Sequence, residues 1–308
     1  MSNPNILVVM ALRNGQQWVE RQMESIINQE GVNVSVVVGD DCSSDNSVEF
    51  IEKRFRRDNK VRVIRWDAPS GSAGANFRKL IACCDYQEFD FVAFSDQDDV
   101  WLPDKLKVAT RAIVSRGVSG YSSAVIAQWP DGVEKMVRQS EKQRSLDFIF
   151  EGAGQGCTYV FRAAFARQVA DFITAEPEIV AKCHYHDWLV YILARTWGAG
   201  WIIDKTPSML YRQHENNEIG ARGGWGGAIK RIHLIRAGWY KAQISAAISV
   251  SNAATRGGEN FARPNLDFFS EEDSVARRVK LALVGFIHGR RRFVDRVILV
   301  LIAIFGFI

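Results

Sequence analysis

The sequence predicts an α/β fold with a mostly parallel central sheet flanked by helices. Two uncharged apolar runs, residues 6–11 and 34–38, have the length and composition of buried strands. Between them, apolar side chains from Trp18 to Ile27 recur at the spacing of a helix. A strand, a helix and a second strand in this order build parallel sheets, because parallel strands need a crossover between them.

The next segments continue this alternation to about residue 94. They predict, in chain order, a helix over 47–56, a strand over 61–64, a helix over 76–84 and a strand over 89–94. Ligands of such sheets bind beyond the carboxyl ends of the strands. Acidic residues stand at two of these ends, Asp40–Asp41 and Asp96–Asp99, and we therefore expect the binding site there.

The pattern becomes less regular after about residue 122. Residues 124–137 predict a hairpin that turns at Asp131–Gly132. After a glycine-rich stretch, residues 184–197 predict a helix, and residues 201–203 resemble a strand. We expect this half of the fold to shape one side of the binding site.

Composition and charge exclude several classes of protein. Apolar residues make up 47% and charged residues 24% of the 308 residues, unlike disordered, collagenous or disulfide-scaffold chains. The net charge is +4, and acidic and basic residues roughly cancel outside the last part of the chain, so we expect no nucleic acid partner. The five cysteines lack Cys-x-x-Cys spacing and predict reduced thiols in the cytosol. The N-terminus lacks signal-peptide features, so we expect no export.

The C-terminal part of the chain is predicted to be helical and strongly basic. Helical patterns extend from the glycines at 223–227 to Ser251, and a polar loop or linker is expected over 256–264. An amphipathic stretch over 274–296 then leads into residues 297–308, which carry no charge. The basic residues of this end are Arg277, Arg278, Lys280, Arg290, Arg291, Arg292 and Arg296.

This arrangement predicts a helix that lies on a membrane without crossing it. Residues 297–308 are too few to span a bilayer, which takes about 20 apolar residues. A cationic amphipathic helix with an apolar end is typical of segments in the interface of an anionic membrane, here the cytoplasmic face. We expect the basic side chains to supply a large share of the binding, which should therefore weaken in salt. The alternative is a C-terminal helix packed on the core.

The strongest local signal is the acidic run Ser95–Asp99, which follows the predicted strand 89–94. Carboxylates this close repel one another, and a hard divalent cation relieves the repulsion while its free positions bind diphosphate oxygens. The position after a buried strand favours such a metal site. The alternative is a solvated turn that caps the helix after Pro103.

Three further polar clusters are candidates for the same site. Gly39–Asp45 closes a strand and opens a helix, where a carboxylate can bind a nucleobase or ribose. His184–Trp188 offers an aspartate at a helix start, which can act as a general base and is kept ionised by the helix dipole. Tyr211–Asn217 combines groups that bind phosphate and metal. A plain turn, a helix cap with a core histidine, and a surface loop are the respective alternatives.

Together these segments resemble the family-2 glycosyltransferases of the GT-A fold, and among them the bacterial rhamnosyltransferases of lipopolysaccharide and O-antigen assembly. The matching segments are Val8–Asn14, Asp40–Asp45, Ser95–Trp101, His186–Trp188 and Tyr211–Gly220. The runs Asp-Gln-Asp-Asp-Val-Trp and Tyr-Arg-Gln-His-x-Asn-Asn-x-x-Gly-Ala are typical of the rhamnosyl subgroup. The family has an acidic pair where this chain has His186–Asp187, which leaves Asp187 as the carboxylate there.

The resemblance implies an inverting sugar transfer and a role for each matched residue. It implies that Asp187 is the general base and that Mg²⁺ or Mn²⁺ binds to Asp98 first, with His214 and Asp96. The residues implied for nucleotide-sugar binding are Ala11, Arg13, Asp40, Asp41 at the nucleobase, Asp96, and Arg212 at the leaving diphosphate. The residues implied for acceptor binding are Gly154, Gln155, Gly156, His186 and Trp188.

The resemblance also implies a domain division and partners. It predicts a catalytic domain over 1–221, whose nucleotide-sugar half ends at about 121 and whose acceptor half spans 122–221, and a helical extension over 222–308. The implied donor is dTDP-L-rhamnose, and the implied acceptor is a lipid-linked glycan or lipopolysaccharide at the cytoplasmic surface of the inner membrane. Motifs do not fix the donor sugar, the linkage or the acceptor, which depend on pocket shape.

Two other functions compete with this one. A sugar nucleotidyltransferase uses a related sheet and acidic metal ligands, but Ala11–Gly15 lacks the glycine-rich, lysine-bearing phosphate loop such an enzyme needs. A catalytically inactive, membrane-attached glycan-binding scaffold would not need acids at all three implied catalytic segments.

Overall fold

The strands of the described residues form one mixed sheet. The computed structural model describes residues 2–55, 59–138, 141–214, 233–256, 269 and 273–308. The strands are β1 (Asn5–Leu12), β2 (Asn33–Asp40), β3 (Val61–Arg65), β4 (Phe91–Ser95), β5 (Val100–Trp101), β6 (Gly120–Gln128), β7 (Glu134–Val137), β8 (Val160–Arg162) and β9 (Trp201–Arg212). Their order is β3-β2-β1-β4-β8-β6-β9-β5, with β7 paired to β6.

Helices cover both faces of this sheet. They are α1 (Val19–Ile27), α2 (Ser47–Arg54), α3 (Ala73–Cys83), α4 (Lys105–Arg116), α5 (Asp147–Phe150), α6 (Ala163–Ala175), α7 (Pro177–Ala181), α8 (His186–Thr196), α9 (Trp239–Ala254), α10 (Val275–His288) and α11 (Phe293–Ile304). Alternate residues of β1 enter two different core clusters, because successive side chains of a strand point to opposite faces. Burial on both faces explains why the first strands are apolar without interruption.

The parallel arrangement predicted for the sheet holds in its first half. Strand β1 pairs in parallel with β2 and β4, and β2 pairs in parallel with β3. Beyond β4 the sheet becomes mixed: β6 and β9 pair in parallel, whereas β5, β7 and β8 pair antiparallel with their neighbours. Strand β8 runs antiparallel to β4 and β6, because a 3-10 turn at Gly156–Thr158 leads the chain into β8 without a crossover helix.

Two predicted elements of the second half are present, one of them much longer than expected. Strands β6 and β7 pair antiparallel from Val125–Val137 to Gln128–Glu134, which confirms the hairpin. The strand expected over 201–203 continues to Arg212, pairing in parallel with β6 across a register irregularity between Ser122 and Ile126. Strand β9 thereby delivers its last residues to the carboxyl end of the sheet.

The C-terminal helices pack on the core, as the alternative interpretation of this segment expected. Leu281 of α10 and Leu299 of α11 are each 1% exposed and belong to the core cluster that contains α8. Residues 289–292 join the two helices, and Arg277 donates to the carbonyl of Ile308 at 3.3 Å, so the pair forms an antiparallel hairpin. We call α10, α11 and their connection the C-terminal hairpin. Within the part of the chain that the structure describes, no helix combines the length and apolar character that a membrane crossing requires.

The basic side chains of the C-terminal hairpin are not all directed to solvent, which corrects the electrostatic part of the prediction. Arg277 and Arg291 are 7% and 4% exposed. Arg278 pairs with Asp273 at 2.6 Å, and Arg290 lies 3.5 Å from Glu151. Charges that neutralise carboxylates of the protein are not available to a lipid surface. The loop predicted over 256–264 and the glycines at 223–227 lie outside the described residues.

Candidate active site

The end of β2 provides two buried carboxylates. Asp40 accepts hydrogen bonds from the backbone N–H of Ser43, at 3.1 and 3.3 Å to its two oxygens. Asp41 accepts the backbone N–H of Ser70 at 2.6 Å and lies 3.7 Å from the guanidinium of Arg13. Asp41 is therefore held in place with a cation beside it, a geometry suited to the polar edge of a base or a ribose.

Arg13 also connects this edge of the sheet to the acidic run. The side chain of Gln97 accepts the backbone N–H of Arg13 at 2.7 Å and donates to its carbonyl at 2.9 Å. A side chain at Gly15 would meet Gln97 at 2.8 Å, so the close approach requires glycine there. Ala11 pairs with Gly39 inside the sheet, which places it directly beneath the two aspartates. The predicted nucleotide-binding residues of β1 and β2 are thus neighbours.

The acidic run is brought against the end of β9. The Nε2 of His214 lies 2.5 Å from Oδ2 of Asp98. The imidazole of His214 stacks on the indole of Trp18, with ring centroids 4.4 Å apart and planes 13° from parallel. Sequence motifs linked Asp98 to His214 only through the resemblance, and the folded chain places them in contact. Trp18, which sequence analysis assigned only to helical spacing, is an additional residue of the site.

Asp99 forms the floor of the acidic run. It is fully buried; Oδ1 accepts the backbone N–H of Arg212 at 3.3 Å, and Oδ2 has no hydrogen-bond partner among the described residues. One ligand atom each of Asp96, Asp99 and Cys157 lie within 4.8 Å of one another. Burial, and then the charges of Asp98 and Asp96, raise the pKa of Asp99 well above its usual value.

Lys105 is a second site residue that sequence analysis missed. Its ammonium group is buried, donates to the carbonyl of Cys157 at 2.6 Å and lies 3.6 Å from the ring centroid of Trp101. Burial lowers the pKa of Lys105 to about 7, against the attraction of Cys157, Asp99 and Asp96. A lysine beneath a carboxylate cluster offsets part of its negative charge. A lysine at the start of a helix gives no sequence signal for such a position.

The donor set at this cluster suits a hard divalent cation. Carboxylate oxygens of Asp96 and Asp98 and the imidazole of His214 are ligands that Mg²⁺ or Mn²⁺ accepts. Burial and the charges of Asp98 and Asp96 raise the pKa of Asp99, so further negative charge is unfavourable at this place without a cation. The thiol of Cys157 does not fit, because burial and the nearby carboxylates raise its pKa and keep it neutral. Cys157 thus contacts the carboxylate cluster as a neutral thiol.

The predicted general base lies at the start of α8. Asp187 is in the first turn, where the positive end of the helix dipole favours an anion, and its Oδ1 accepts the backbone N–H of Trp188 at 2.7 Å. A side chain on Gly156 would lie 2.9 Å from Cβ of Asp187 and 2.9 Å from Nε2 of His186. The glycine loop, residues 152–156, therefore touches the helix start that carries the base.

His186 occupies a buried aromatic position beside the base. Its ring stacks on Phe77 with centroids 3.8 Å apart and meets the edge of Phe94 at 5.0 Å. Burial, and then the charge of Arg78, lower the pKa of His186 to about 3, so the ring is neutral at pH 7. A carboxylate here would lie against two aromatic rings, which gives a physical reason for histidine where the resembling family has an acid.

Two other predicted acceptor residues differ in their surroundings. The indole N–H of Trp188 donates to the carbonyl of Phe148 at 2.7 Å, and the ring is 7% exposed within the core cluster. This position favours packing over the predicted acceptor contact for Trp188. By contrast, the buried Oε1 of Gln155 and the Nε2 of His186 have no hydrogen-bond partner among the described residues. Gln155 and His186 therefore stay predicted acceptor residues, each with one buried polar atom that lacks a described partner.

Comparison with known proteins assigns the chain to a family. The family described as "Glycosyl transferase family 2" matches residues 7–170. The chain belongs to glycosyl transferase family 2. It is 38% identical over 237 residues to the dTDP-rhamnosyl transferase RfbG of Shigella flexneri, covering 77% of this chain and 82% of that one. It is 27% identical over 156 residues to the UDP-Glc:alpha-D-GlcNAc-diphosphoundecaprenol beta-1,3-glucosyltransferase WfgD of Escherichia coli, covering 50% and 58%.

Solved structures agree on the fold of this family-2 glycosyltransferase. TarS of S. aureus in complex with UDP-GlcNAc superposes with a TM-score of 0.54 at 15% identity, covering 94% of this chain and 82% of that one. The mannosyltransferase PcManGT from Pyrobaculum calidifontis, in complex with GDP-Man and Mn²⁺, superposes with a TM-score of 0.51 at 12% identity, covering 99% and 86%. The expected GT-A glycosyltransferase fold is confirmed.

The site of the glycosyltransferase is continuous at the carboxyl edge of the sheet. Arg13 joins Asp41 to the acidic run, and Asp99 joins that run to Cys157. Cys157 follows Gly156, which touches the helix start bearing Asp187. The matched segment 211–220 contributes Arg212 and His214 to this candidate site. Residues 215–220 lie outside the described part of the chain.

Proposed function

We propose that this glycosyltransferase moves L-rhamnose, with inversion, from dTDP-L-rhamnose to a cell-envelope glycan. The observation that carries the reaction is the convergence of Asp187, the glycine loop and the acidic run at one edge of the sheet. The donor is supported by the 38% identity to a protein named as a dTDP-rhamnosyl transferase, which extends over 77% of the chain.

The reaction is a single displacement at the anomeric carbon. Asp187 accepts the proton of an acceptor hydroxyl while that oxygen forms a bond to the anomeric carbon and the bond to the diphosphate oxygen breaks. The products are the glycoside of inverted configuration and a nucleoside diphosphate, and the proton remains on the carboxyl of Asp187. General base catalysis of this kind contributes about 10²- to 10⁴-fold in rate.

The negative charge of the leaving diphosphate is neutralised by groups at the acidic run and the end of β9. Arg212 lies beside Asp99 and supplies a guanidinium to the phosphate oxygens. Asp96, Asp98 and His214 would hold Mg²⁺ or Mn²⁺, which neutralises diphosphate charge when bound. Asp41 and Arg13, at the far side of Gln97, bind the nucleoside.

Lipid-linked glycan or lipopolysaccharide is the acceptor class that we propose, met at the cytoplasmic face of the inner membrane. One relative, WfgD, is named for a sugar carried on diphosphoundecaprenol, which is a lipid. Gln155 and His186 supply unpartnered polar atoms beside the glycine loop, where an acceptor hydroxyl can bind. We retain the division into a catalytic domain over 1–221 and a helical extension over 222–308 as part of this proposal.

The test separates donor binding from transfer with two variants. Asp187→Asn should leave the dissociation constant for dTDP-L-rhamnose nearly unchanged and lower turnover by about 100-fold or more, as expected for loss of a general base. The contrasting variant Asp98→Ala should lose metal-dependent donor binding itself, because the diphosphate loses its neutralising cation. Calorimetric titration with and without Mn²⁺, together with release of dTDP, measures both quantities.

Three results would contradict the proposal. Equal losses of donor binding and turnover in Asp187→Asn would indicate a structural role for that residue. Unchanged turnover of Asp98→Ala without added metal would remove the cation from the mechanism. Release of pyrophosphate from a nucleoside triphosphate and a sugar phosphate would identify a nucleotidyltransferase instead.

A further inference from the structure

The C-terminal hairpin carries most of the exposed apolar surface of the described residues. Of the sixteen large apolar side chains that are exposed there, twelve belong to residues 275–305. Scattered apolar residues on a protein surface need no explanation, but a contiguous set of this size marks an interaction surface.

These side chains form a stripe on each helix. In α10 they follow helical spacing at Val275, Val279, Leu283, Phe286 and Ile287, and the opposite side carries Leu281 and Gly285 toward the core. Residues three or four apart lie on one face of a helix. Helix α10 is therefore apolar on the side away from the core as well as on the side that packs against it.

Helix α11 repeats this arrangement. Phe293, Val297, Leu301 and Ile304 lie on its exposed side, whereas Leu299 is buried. The rings of Phe286 and Phe293 are 6.0 Å apart, so the two stripes meet at the connected end of the hairpin. The result is one apolar surface, two helices wide, which we call the outer face.

The helices are too short for the outer face to be part of a membrane crossing. At about 1.5 Å per residue, α10 and α11 are roughly 21 and 18 Å long, against a hydrocarbon core of about 30 Å. Helices of this length with exposed aromatic and aliphatic stripes lie in the plane of a membrane interface.

The charge of the hairpin selects the occupant of the outer face. Four of the seven arginines and lysines of residues 273–308 are buried or paired with acids of the protein, whereas Lys280 and Arg292 are exposed and Arg296 lies over the rings of Phe286 and Phe293. A second copy of this chain would bring two such basic segments together, whereas an anionic lipid surface is complementary to them. We propose that the outer face inserts into the monolayer of an anionic phospholipid membrane.

The buried arginines indicate what drives this insertion. Arg277 and Arg291 point into the protein and Arg278 pairs with Asp273, so apolar contact rather than charge supplies most of the binding. Binding through apolar surface persists when salt screens charges, whereas binding through basic side chains does not. The outer face should therefore hold the protein on vesicles at high salt, contrary to the expectation from the sequence.

The hairpin also sets where the membrane lies relative to the site. Arg291, in the connection of the hairpin, donates to the carbonyl of Gly152 at 2.6 Å, and its backbone N–H donates to Glu151 at 2.6 Å. Gly152 opens the glycine loop beside Asp187. The position of the acceptor rests on the proposed function, in which the acceptor is lipid-linked. Such an acceptor would reach Asp187 from the lipid surface.

Flotation of the full-length protein with vesicles tests the proposal. Vesicles of phosphatidylethanolamine and phosphatidylglycerol are compared with and without about 1 M salt, at which charges are screened within about 3 Å. The variant Phe293→Asp/Leu301→Asp changes two side chains that are 60% and 49% exposed, and should lower the partition coefficient by about 100-fold, since each buried one contributes about tenfold or more. The matched control Val114→Asp/Val133→Asp changes side chains that are 59% and 55% exposed outside the hairpin, and should bind like the native protein.

Each outcome decides the proposal, and donor hydrolysis keeps it separate from the proposed function. Loss of vesicle binding in the hairpin variant alone, with donor hydrolysis and thermal unfolding unchanged, supports the outer face as the membrane surface. Unchanged vesicle binding of that variant overturns it, as does complete loss of native binding at high salt. A native dimer that the hairpin variant converts to a monomer, without vesicle binding, identifies a second copy as the occupant instead. Absence of donor hydrolysis in the native protein and in both variants would contradict the proposed reaction and leave the membrane proposal unaffected.

Discussion

Gly156 sets the distance between the glycine loop and Asp187, the predicted general base. A methyl group there would lie 2.9 Å from Cβ of Asp187, closer than nonbonded carbon atoms approach. Gly152, in the same loop, has room for a methyl group, whose nearest neighbour would be Cα of Trp188 at 3.7 Å. The two glycines therefore differ in how closely they are packed, although the sequence shows only a glycine-rich stretch.

Gly156→Ala is expected to impair catalysis with little effect on donor binding. The added methyl group displaces Asp187 or the loop, and misplacement of a catalytic group by about 1 Å can lower turnover by about 100-fold. Gly152→Ala should retain turnover within about threefold of the native enzyme. Steady-state kinetics and donor titration of both variants measure the difference, and equal turnover of the two variants would contradict the role of Gly156.

At the scale of residues, motif resemblance identified two residues that meet in the fold but not the residues that support them. The resemblance named Asp98 and His214, which the fold brings to 2.5 Å. It gave no role to Trp18, which stacks on His214, to Cys157, which lies beside Asp96 and Asp99, or to Lys105, which donates to the carbonyl of Cys157. Support of this kind depends on tertiary contacts, and no local spacing encodes it.

In helix α8, a buried ring holds the first turn, which carries the predicted base Asp187. His186 fixes the first turn of α8 by stacking on Phe77 of α3 and by meeting Phe94 of β4. Because burial lowers the pKa of His186 to about 3, the native state does not bind a proton there until far below the ordinary value of 6.5. The unfolded state binds that proton below about pH 6.5.

The free energy of unfolding should therefore fall as the pH decreases from 6.5 toward 3. The depressed pKa of His186 contributes about 1.4 kcal/mol of lost stability per pH unit in this window, and nothing above it. His186→Phe keeps a stacking ring without a titrating group. The free energy of unfolding of this variant should therefore depend less on pH in this window, by about 1.4 kcal/mol per pH unit. Urea unfolding at several pH values provides the comparison, and parallel curves for both proteins would refute the assignment to His186.

Sequence periodicity predicted the strands whose burial pattern is regular and did not predict the full extent of those whose pattern is irregular. Strands β1, β2 and β4 are buried on both faces and were placed within a few residues. Strand β9 was predicted only over 201–203, because its middle, Asp204 to Thr206, is polar and partly or fully exposed before the chain is buried again from Ser208. The antiparallel pairing of β8 was missed because pairing direction depends on connections rather than on side-chain pattern.

At the scale of the whole molecule, a buried ion network attaches the C-terminal hairpin to the catalytic domain. Asp147 is fully buried and lies 2.5 Å from Arg195 of α8 and 3.2 Å from Arg291 of the hairpin. Glu151 lies 3.6 Å from the same Arg291. One arginine thus joins the C-terminal hairpin to the segment that begins the glycine loop, and the hairpin is both packed on the core and apolar on its outer face.

Arg291→Gln is expected to destabilise the whole molecule, because it leaves buried carboxylates without part of their compensation. Removal of one partner from a buried ion pair typically costs about 3–5 kcal/mol. The neighbouring variant Arg292→Gln removes a similar side chain that is exposed, and should change the free energy of unfolding by less than about 0.5 kcal/mol. Urea unfolding followed by circular dichroism measures both. If the two variants unfold at the same urea concentration, Arg291 does not anchor the hairpin, and its position on the core must depend on other contacts, such as those of the buried Leu281 and Leu299.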